Sequence, residues 1–231
     1  MALLHALAHL RASHDFTCSA VSVDHGLRPE VRGEIELVAE FCRARELEFD
    51  VVRLQLESGG NLQARAREAR YEALWRVARA RFGVEVFLAT AHQLEDRAET
   101  VLLRLLRGTT AAGLGVLAPR EDRLLRPLVE VPRARVLEHL ERHQVPFARD
   151  PSNDDPRFMR VRVRKEVLPL LEEMAPGVTA RLAELAREIA LEEEKPLGLN
   201  REQREQLRSA LERDTGSVDV RLPRGLRLRR E

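Results

Sequence analysis

The sequence predicts an α/β protein built on a parallel, doubly wound sheet with helices on its faces. Short runs rich in β-branched and aromatic residues occupy positions 16–23, 49–54 and 84–91, and amphipathic segments lie between them. Strands joined by connections of helical length pair in parallel, and the helices then cover the sheet. We therefore expect strands and helices to alternate through the first half of the chain.

Four segments have apolar residues at helical spacing and are predicted helices: 1–10, 34–45, 62–81 and 94–107. The chain thus opens on a helix. In a doubly wound sheet a strand comes first, and its turn into the first helix binds phosphate. We therefore expect a strand and its loop upstream of Met1.

The alternation stops near Gly108. A loop of Gly, Ala and Thr follows over 108–115, and further helices are predicted over 135–143, 167–174, 178–195 and 201–213. Residues 217–229 alternate around a Pro-Arg-Gly turn, which predicts a terminal hairpin. We accordingly predict a sheet domain over 1–172 and a small helical region over 173–231.

The composition excludes several protein classes. With 44% hydrophobic residues the chain is too apolar to be disordered, yet no apolar run approaches the roughly 18 residues of a membrane span. No secretory signal opens it. All but two of its 39 basic residues are arginines, which suit phosphate, although a GC-rich genome gives the same bias. Cys18 and Cys42 match no zinc or redox spacing, so we expect buried thiols in a reducing cytoplasm.

Polar residues follow two of the predicted strands. Asp24 and His25 come directly after the first strand, and His92 follows the third. Ligands of open α/β sheets bind at the carboxyl ends of the strands, so these side chains are candidates for nucleotide contacts. A turn-forming role for Asp24 is equally consistent with the sequence.

Two predicted helices begin with charged or capping groups. Asn61 caps a helix on which Arg67 and Arg70 share a face, as in an anion site or on a solvated surface. Asp96 and Glu99 lie three residues apart at the start of the next helix. Carboxylates there suit Mg²⁺ or an amine, but they also stabilise any helix start.

A basic strip follows an acidic turn at 150–154. Arg160, Arg162 and Arg164 alternate along the chain, so an extended segment would place them on one side. Such a strip fits a nucleic-acid backbone.

Seven motifs occur in one order: V-D-H-G-L-R, G-N-L-Q-A-R-A-R-E-A-R-Y, T-A-H-Q-L-E-D-R-A-E-T, R-G-T-T-A-A-G-L, R-P-L, D-P-S-N-D and R-V-R-V-R-K-E-V-L-P-L-L. This series resembles that of the tRNA(Ile)-lysidine synthetases, which belong to the PP-loop ATP pyrophosphatase superfamily. The resemblance covers Met1 to about Leu171, and the tail L-P-R-G-L-R-L-R-R is more loosely similar.

The resemblance implies a cytoplasmic ligase that modifies tRNA. The family uses ATP, with Mg²⁺, to adenylate C2 of the wobble cytidine in the CAU anticodon of tRNA(Ile), and the amine of free lysine then displaces AMP to form lysidine. The wobble base must be splayed out for access. The oligomeric state is left open, a homodimer being one option.

The resemblance also implies roles for individual residues. The residues matching catalytic positions are Asp96, Glu99, Arg67 and Arg70. Those matching ATP-binding positions are Asp24, His25, Asn61, His92, Arg107 and Gly108. Those matching a basic segment near the tRNA path are Arg160, Arg162 and Arg164, and no metal ligand is implied.

Two departures from the family pattern affect this interpretation. Glu95 stands where the family has Asp, a change that a peripheral position tolerates. The S-G-G-x-D-S loop, which grips the pyrophosphate of ATP, is absent before Met1, so we expect poor ATP binding and a damaged sheet. The alternatives are a non-catalytic remnant that binds tRNA, and a tRNA thiolase, whose paired cysteines have a different spacing from Cys18 and Cys42.

Overall fold

The protein is described here by a computed structural model. It describes residues 1–24, 31–54, 62–148, 154–194, 218–221 and 227–230. The predicted helix at 201–213 and residues 150–153 of the predicted acidic turn at 150–154 lie outside these residues. Within the described ranges, no helix combines the length and apolar character that a membrane crossing requires.

A pair of parallel strands begins the α/β architecture. β1 (Ser19–Asp24) and β2 (Glu48–Arg53) pair along their whole length, so that Asp24 stands opposite Arg53. The helix α2 (Val31–Arg43) connects them and contacts both strands. Its buried Phe41 and Cys42 belong to the predicted apolar stripe. The predicted β–α–β unit is therefore confirmed.

A second sheet forms after α3 (Leu62–Phe82). Its strands β3 (Leu88–Ala89) and β5 (Leu124–Leu125) are parallel, and β4 (Arg120–Glu121) pairs with β5 in a hairpin. The third strand, predicted over 84–91, is reduced to two residues. Val84 is 73% exposed and Phe87 is 47% exposed, so the first part of that apolar run lies outside the sheet.

The remaining elements are mostly helical. They are α1 (Ala2–Leu10), α4 (Leu94–Arg107), a 3₁₀ turn (Ala112–Leu114), α5 (Arg133–Arg142), α6 (Met159–Arg162), a π-helical turn (Val163–Val167), α7 (Leu168–Met174) and α8 (Val178–Glu194). The predicted terminal hairpin is confirmed by β6 (Val218–Arg221) and β7 (Arg227–Arg230), which are antiparallel.

The arginine strip is helical, so the extended segment predicted for Arg160, Arg162 and Arg164 is wrong. The three residues lie on α6 and on the π-helical turn that continues it. Val163 and Leu168, five residues apart, both enter the same apolar cluster. A π turn brings residues at that spacing onto one face, which explains why the chain widens here.

The chain forms two compact units. The first comprises Met1–Asp96 with Pro119–Arg162, and the second comprises Arg97–Ala118 with Val163–Glu231. The chain therefore passes between the units within α4, between Ala118 and Pro119, and after α6. The boundary predicted at residue 172 stays a prediction.

Each unit has its own apolar core. The core of the first unit joins α1, α2 and α5 through Ala2, Phe41, Cys42, Leu47, Val136, Leu140 and Val145. Beside it, His5 Nδ1 of α1 lies 3.0 Å from His139 Nε2 of α5. The core of the second unit contains Ala98, Leu103, Val163 and Leu168, and next to it Val101, Val116 and Ala186.

Candidate active site

Asp24 lies at the carboxyl end of β1, where a doubly wound sheet binds its ligands. Its side chain is 15% exposed and stands 3.8 Å from the Nε of the exposed Arg53. The backbone carbonyl of Asp24 accepts a hydrogen bond from the Leu54 amide at 2.7 Å, which continues the pairing of the two strands. The carboxylate is thus held at the strand end where the sequence predicts a nucleotide contact.

The start of α4 fixes the orientation of Asp96. Its Oδ2 accepts a hydrogen bond from the Gln93 amide at 2.8 Å, and its Oδ1 accepts one from Nη2 of Arg160 at 2.9 Å. The first bond is the return half of a capping box, in which an acidic side chain in the first turn reaches back to the residue before the helix. Asp96 is therefore held by its own helix on one side and by α6 on the other.

His92 precedes this helix and is held neutral. Its Nδ1 lies 2.9 Å from Oγ1 of Thr90. Burial is the main cause that lowers the pKa of His92 to about 4; the cations of Arg126, Arg67 and Arg160 act in the same direction, and Asp96 opposes them. At neutral pH His92 therefore donates and accepts hydrogen bonds as an uncharged ring. The same interactions place Asp96 and three arginines around His92.

Glu99 forms a separate pair in the second unit. The residue is buried, and Arg164 donates from Nε to Oε1 at 2.6 Å and from Nη2 to Oε2 at 3.1 Å. A bidentate guanidinium–carboxylate pair is geometrically specific and strong. Arg164, predicted to contact tRNA, thus neutralises a buried carboxylate predicted to be catalytic.

The other predicted site residues are spread over several elements. Arg67 and Arg70 are exposed on α3, and Arg107 is exposed as the last residue of α4. Gly108 follows with φ of +76°, the left-handed conformation that ends helices and favours glycine. Arg162 is exposed at the end of α6. His25 and Asn61 lie outside the described residues.

Two residues of this site, Glu95 and Arg126, have partners that the sequence did not indicate. Both carboxylate oxygens of Glu95 lie 3.0 Å from the Arg133 amide at the start of α5, so this acid stabilises a helix N-terminus. That contact explains why a longer side chain than Asp is accommodated at this position. Arg126, from the R-P-L motif, is 3% exposed and pairs with Glu121 at 2.9 Å. The R-P-L motif indicated that Arg126 is important, but it did not indicate which residue Arg126 binds.

The arrangement suits positioning of charged substrates more than acid–base catalysis. A fixed carboxylate binds an amine, and arginines bind phosphate. A histidine with a pKa near 4 is a weak base at neutral pH. Among the described residues, no group of three or more His, Cys, Asp or Glu side chains could hold a metal ion.

The two cysteines are free thiols. Cys42 is buried and Cys18 is half-buried, and burial raises the pKa of both. A raised pKa keeps them protonated and weakly reactive at neutral pH.

Comparison with known proteins identifies relatives. A family described as the PP-loop domain matches residues 1–171. The tRNA(Ile)-lysidine synthase of Leifsonia xyli is 38% identical over 231 residues, spanning 98% of this chain and 67% of that protein. The synthase of Pseudomonas aeruginosa is 38% identical over 189 residues, spanning 80% of this chain and 42% of that protein. The synthase of a Bradyrhizobium strain is 44% identical over 174 residues, spanning 73% and 48%.

A solved structure confirms the fold class. The U34-tRNA thiolase NcsA from Methanococcus maripaludis, with its 4Fe-4S cluster, matches with a TM-score of 0.66 and 19% identity, covering 82% of this chain and 68% of that one. At this identity the likeness shows the fold alone. The chain spans between 42% and 67% of the length of the three synthases above.

Proposed function

This chain belongs to the PP-loop domain family, with tRNA(Ile)-lysidine synthases among its relatives, and from that premise we propose that it carries out ATP-dependent ligation of lysine to tRNA(Ile). The acceptor is C2 of the wobble cytidine in the CAU anticodon. The substrates of this reaction are tRNA, lysine and ATP, and the ATP carries Mg²⁺. We expect the protein to act in the cytoplasm.

The reaction has two steps. In the first, the C2 oxygen of the cytidine attacks the α-phosphorus of ATP, an O–P bond forms, and pyrophosphate leaves. In the second, the lysine amine attacks C2, the C2–O bond breaks, AMP leaves with the bonding electrons, and the nitrogen releases a proton. Both steps depend on orientation of the partners and on stabilisation of phosphate charge.

The held carboxylate of Asp96 is the observation that supports this proposal most directly. An amine substrate needs an anion in a fixed position, and Asp96 is oriented by Gln93 and Arg160. The arginines near His92 supply positive charge for phosphates. We assign Asp96 to binding of the lysine amine, Arg67 and Arg70 to phosphate charge, and His92 to hydrogen bonding as a neutral ring.

Asp24 sits at the strand end where a nucleotide binds, and we assign it to ATP together with His25, Asn61, Arg107 and Gly108. Glu99 is buried beneath its pair with Arg164, so we assign that pair to support of the catalytic helix. We assign Arg160, which also binds Asp96, and Arg162 to the path of the tRNA.

The test is incorporation of labelled lysine into a tRNA(Ile) transcript with a CAU anticodon. We expect incorporation that requires ATP, and release of AMP and pyrophosphate in equal amounts. A transcript with a UAU anticodon is the matched control. Binding of the transcript without any ATP-dependent incorporation would contradict the proposal and favour a tRNA-binding protein without catalysis.

A further inference from the structure

A cleft of about 640 Å³ lies in the first unit between α3 and the β4–β5 hairpin. It is lined by Arg67, Tyr71, Trp75 and Arg79 of α3, and by Arg123 and Arg126 at the hairpin. Its volume is within the range of about 300–1,000 Å³ that ligand pockets occupy. Trp75 and Arg79 have no role in the proposed reaction. The cleft therefore includes residues beyond those assigned to catalysis and ATP binding.

Arginines lie against both aromatic rings of the cleft. The guanidinium of Arg67 is 5.0 Å from the centre of the Tyr71 ring, and that of Arg79 is 5.7 Å from the centre of the Trp75 ring. Each pair is spaced four residues apart, as expected for neighbours on one helical face. Aromatic rings and guanidinium planes are the two kinds of surface on which RNA bases stack.

The opposite wall of the cleft carries two arginines that acidic side chains hold in place. Arg126 is buried and pairs with Glu121, and Arg123 pairs with Glu85 at 2.8 Å. Four arginines line the cleft beside the acids Glu121 and Asp122, and Glu85, outside the lining, also faces Arg123. Its excess of positive charge favours a ligand with phosphates.

The spacing of the rings favours a strand over a single nucleotide. Tyr71 and Trp75 are one turn apart on α3, which separates them by about 6 Å along the helix. Two stacking surfaces in a row serve two successive bases of an extended strand. A single nucleotide needs only one.

We propose that this cleft binds unpaired nucleotides of RNA next to the modified base, with bases stacked at Trp75 and Tyr71 and phosphates on the arginines. The inference rests on the proposed function, because that function makes a single-stranded anticodon loop the substrate. It assigns a binding role to Trp75 and Arg79, which lie outside the reaction site itself.

The chain has one tryptophan, so its intrinsic fluorescence reports on this cleft alone. We would titrate the protein with an anticodon stem-loop carrying CAU, with a fully paired RNA duplex of equal charge, and with ATP. We expect the stem-loop to quench Trp75 emission saturably, and the duplex and ATP to leave it unchanged. Quenching by ATP as strong as that by the stem-loop would identify a mononucleotide pocket and overturn the proposal.

Variants give a second readout through the anisotropy of a labelled stem-loop. We expect Trp75→Ala to weaken binding about tenfold, Trp75→Phe to retain most of it, and Arg79→Gln to reduce the salt slope by about one. Arg76→Gln is the matched control, because Arg76 is exposed on the same helix and does not line the cleft. Thermal unfolding of each variant checks that it is folded.

The outcomes separate this inference from the proposed function. Unchanged binding by Trp75→Ala and Trp75→Phe, in a protein that still incorporates lysine, would overturn the cleft assignment alone. Stem-loop binding that depends on Trp75, in a protein that incorporates no lysine, would overturn the ligation proposal and leave the cleft assignment standing.

Discussion

Arg164→Met should destabilise the second unit far more than a surface arginine substitution does. The variant keeps the long aliphatic side chain but removes the guanidinium that holds Glu99. The Glu99 side chain is 1% exposed and that of Arg164 is 27% exposed. The carboxylate would therefore lose its bidentate partner in a buried environment.

The structure sets the size of this effect. Removing one partner of a buried ion pair costs about 3–5 kcal/mol of unfolding free energy. Part of Arg164 is in solvent and Glu99 has further interactions, so we expect a smaller loss than this, about 2–3 kcal/mol. With a denaturant slope of about 2 kcal/mol/M, the urea midpoint should fall by about 1 M.

Urea unfolding followed by far-ultraviolet circular dichroism measures this change. Arg187→Met is the matched control, because Arg187 pairs with Glu184 in the same unit and their side chains are 38% and 50% exposed. Such exposed pairs contribute about 0.5 kcal/mol or less. The double variant Glu99→Gln with Arg164→Met should recover part of the loss, since it no longer buries an uncompensated charge.

Equal midpoints for Arg164→Met and Arg187→Met would refute this reasoning. Arg164 would then be available for the tRNA contact that the sequence predicts. A large midpoint shift, with tRNA affinity unchanged under conditions where the variant is folded, would instead establish the structural role.

Three further predictions follow from other parts of the structure. Asp96→Asn should lower kcat/KM for lysine about 10- to 100-fold, because the charged hydrogen bond to the lysine amine is lost. Initial rates at increasing lysine concentrations measure this change, and thermal unfolding checks that the variant is folded. Gly108→Ala should lower the free energy of unfolding by about 1 kcal/mol, because the φ of +76° at this position disfavours a side chain. A urea midpoint equal to that of the parent protein would contradict this prediction. The pKa values of His5 and His139 lie below 6.5 in the folded protein, mainly because of burial and also because of neighbouring cations. The unfolded chain therefore binds more protons, and the free energy of unfolding should fall as the pH drops through 6.5. His5→Gln should flatten that dependence in pH-dependent thermal melts.

The local elements were readable from the sequence. The apolar stripe of α2, the runs of β-branched and aromatic residues in β1 and β2, and the periodic start of α4 each depend on residues close in the chain. Such patterns follow directly from the periods of helix and strand. The terminal hairpin was readable for the same reason, because its turn chemistry lies within one short segment.

The partners of the site residues were decided by tertiary structure. Asp96 meets Arg160 across 64 positions, and Glu99 meets Arg164 across 65. The alternating arginines on either side of Val163 suggested an extended strip. In the folded chain Val163 is buried and lies in a π-helical turn. Periodicity reports which face of an element is apolar, and it carries no information about which distant element will cover that face.

The fold class, the family and the order of the motifs thus follow from the amino-acid sequence alone, because they depend on residue types at short spacings. Only the tertiary structure determined that His92 is neutral, that Glu99 is buried against an arginine, and that Trp75 shares a cleft with the β4–β5 hairpin. Burial and charge proximity are properties of the folded chain, since they depend on which distant residues exclude water from a group. The physical chemistry of the site therefore arises from contacts that form only when the chain closes on itself.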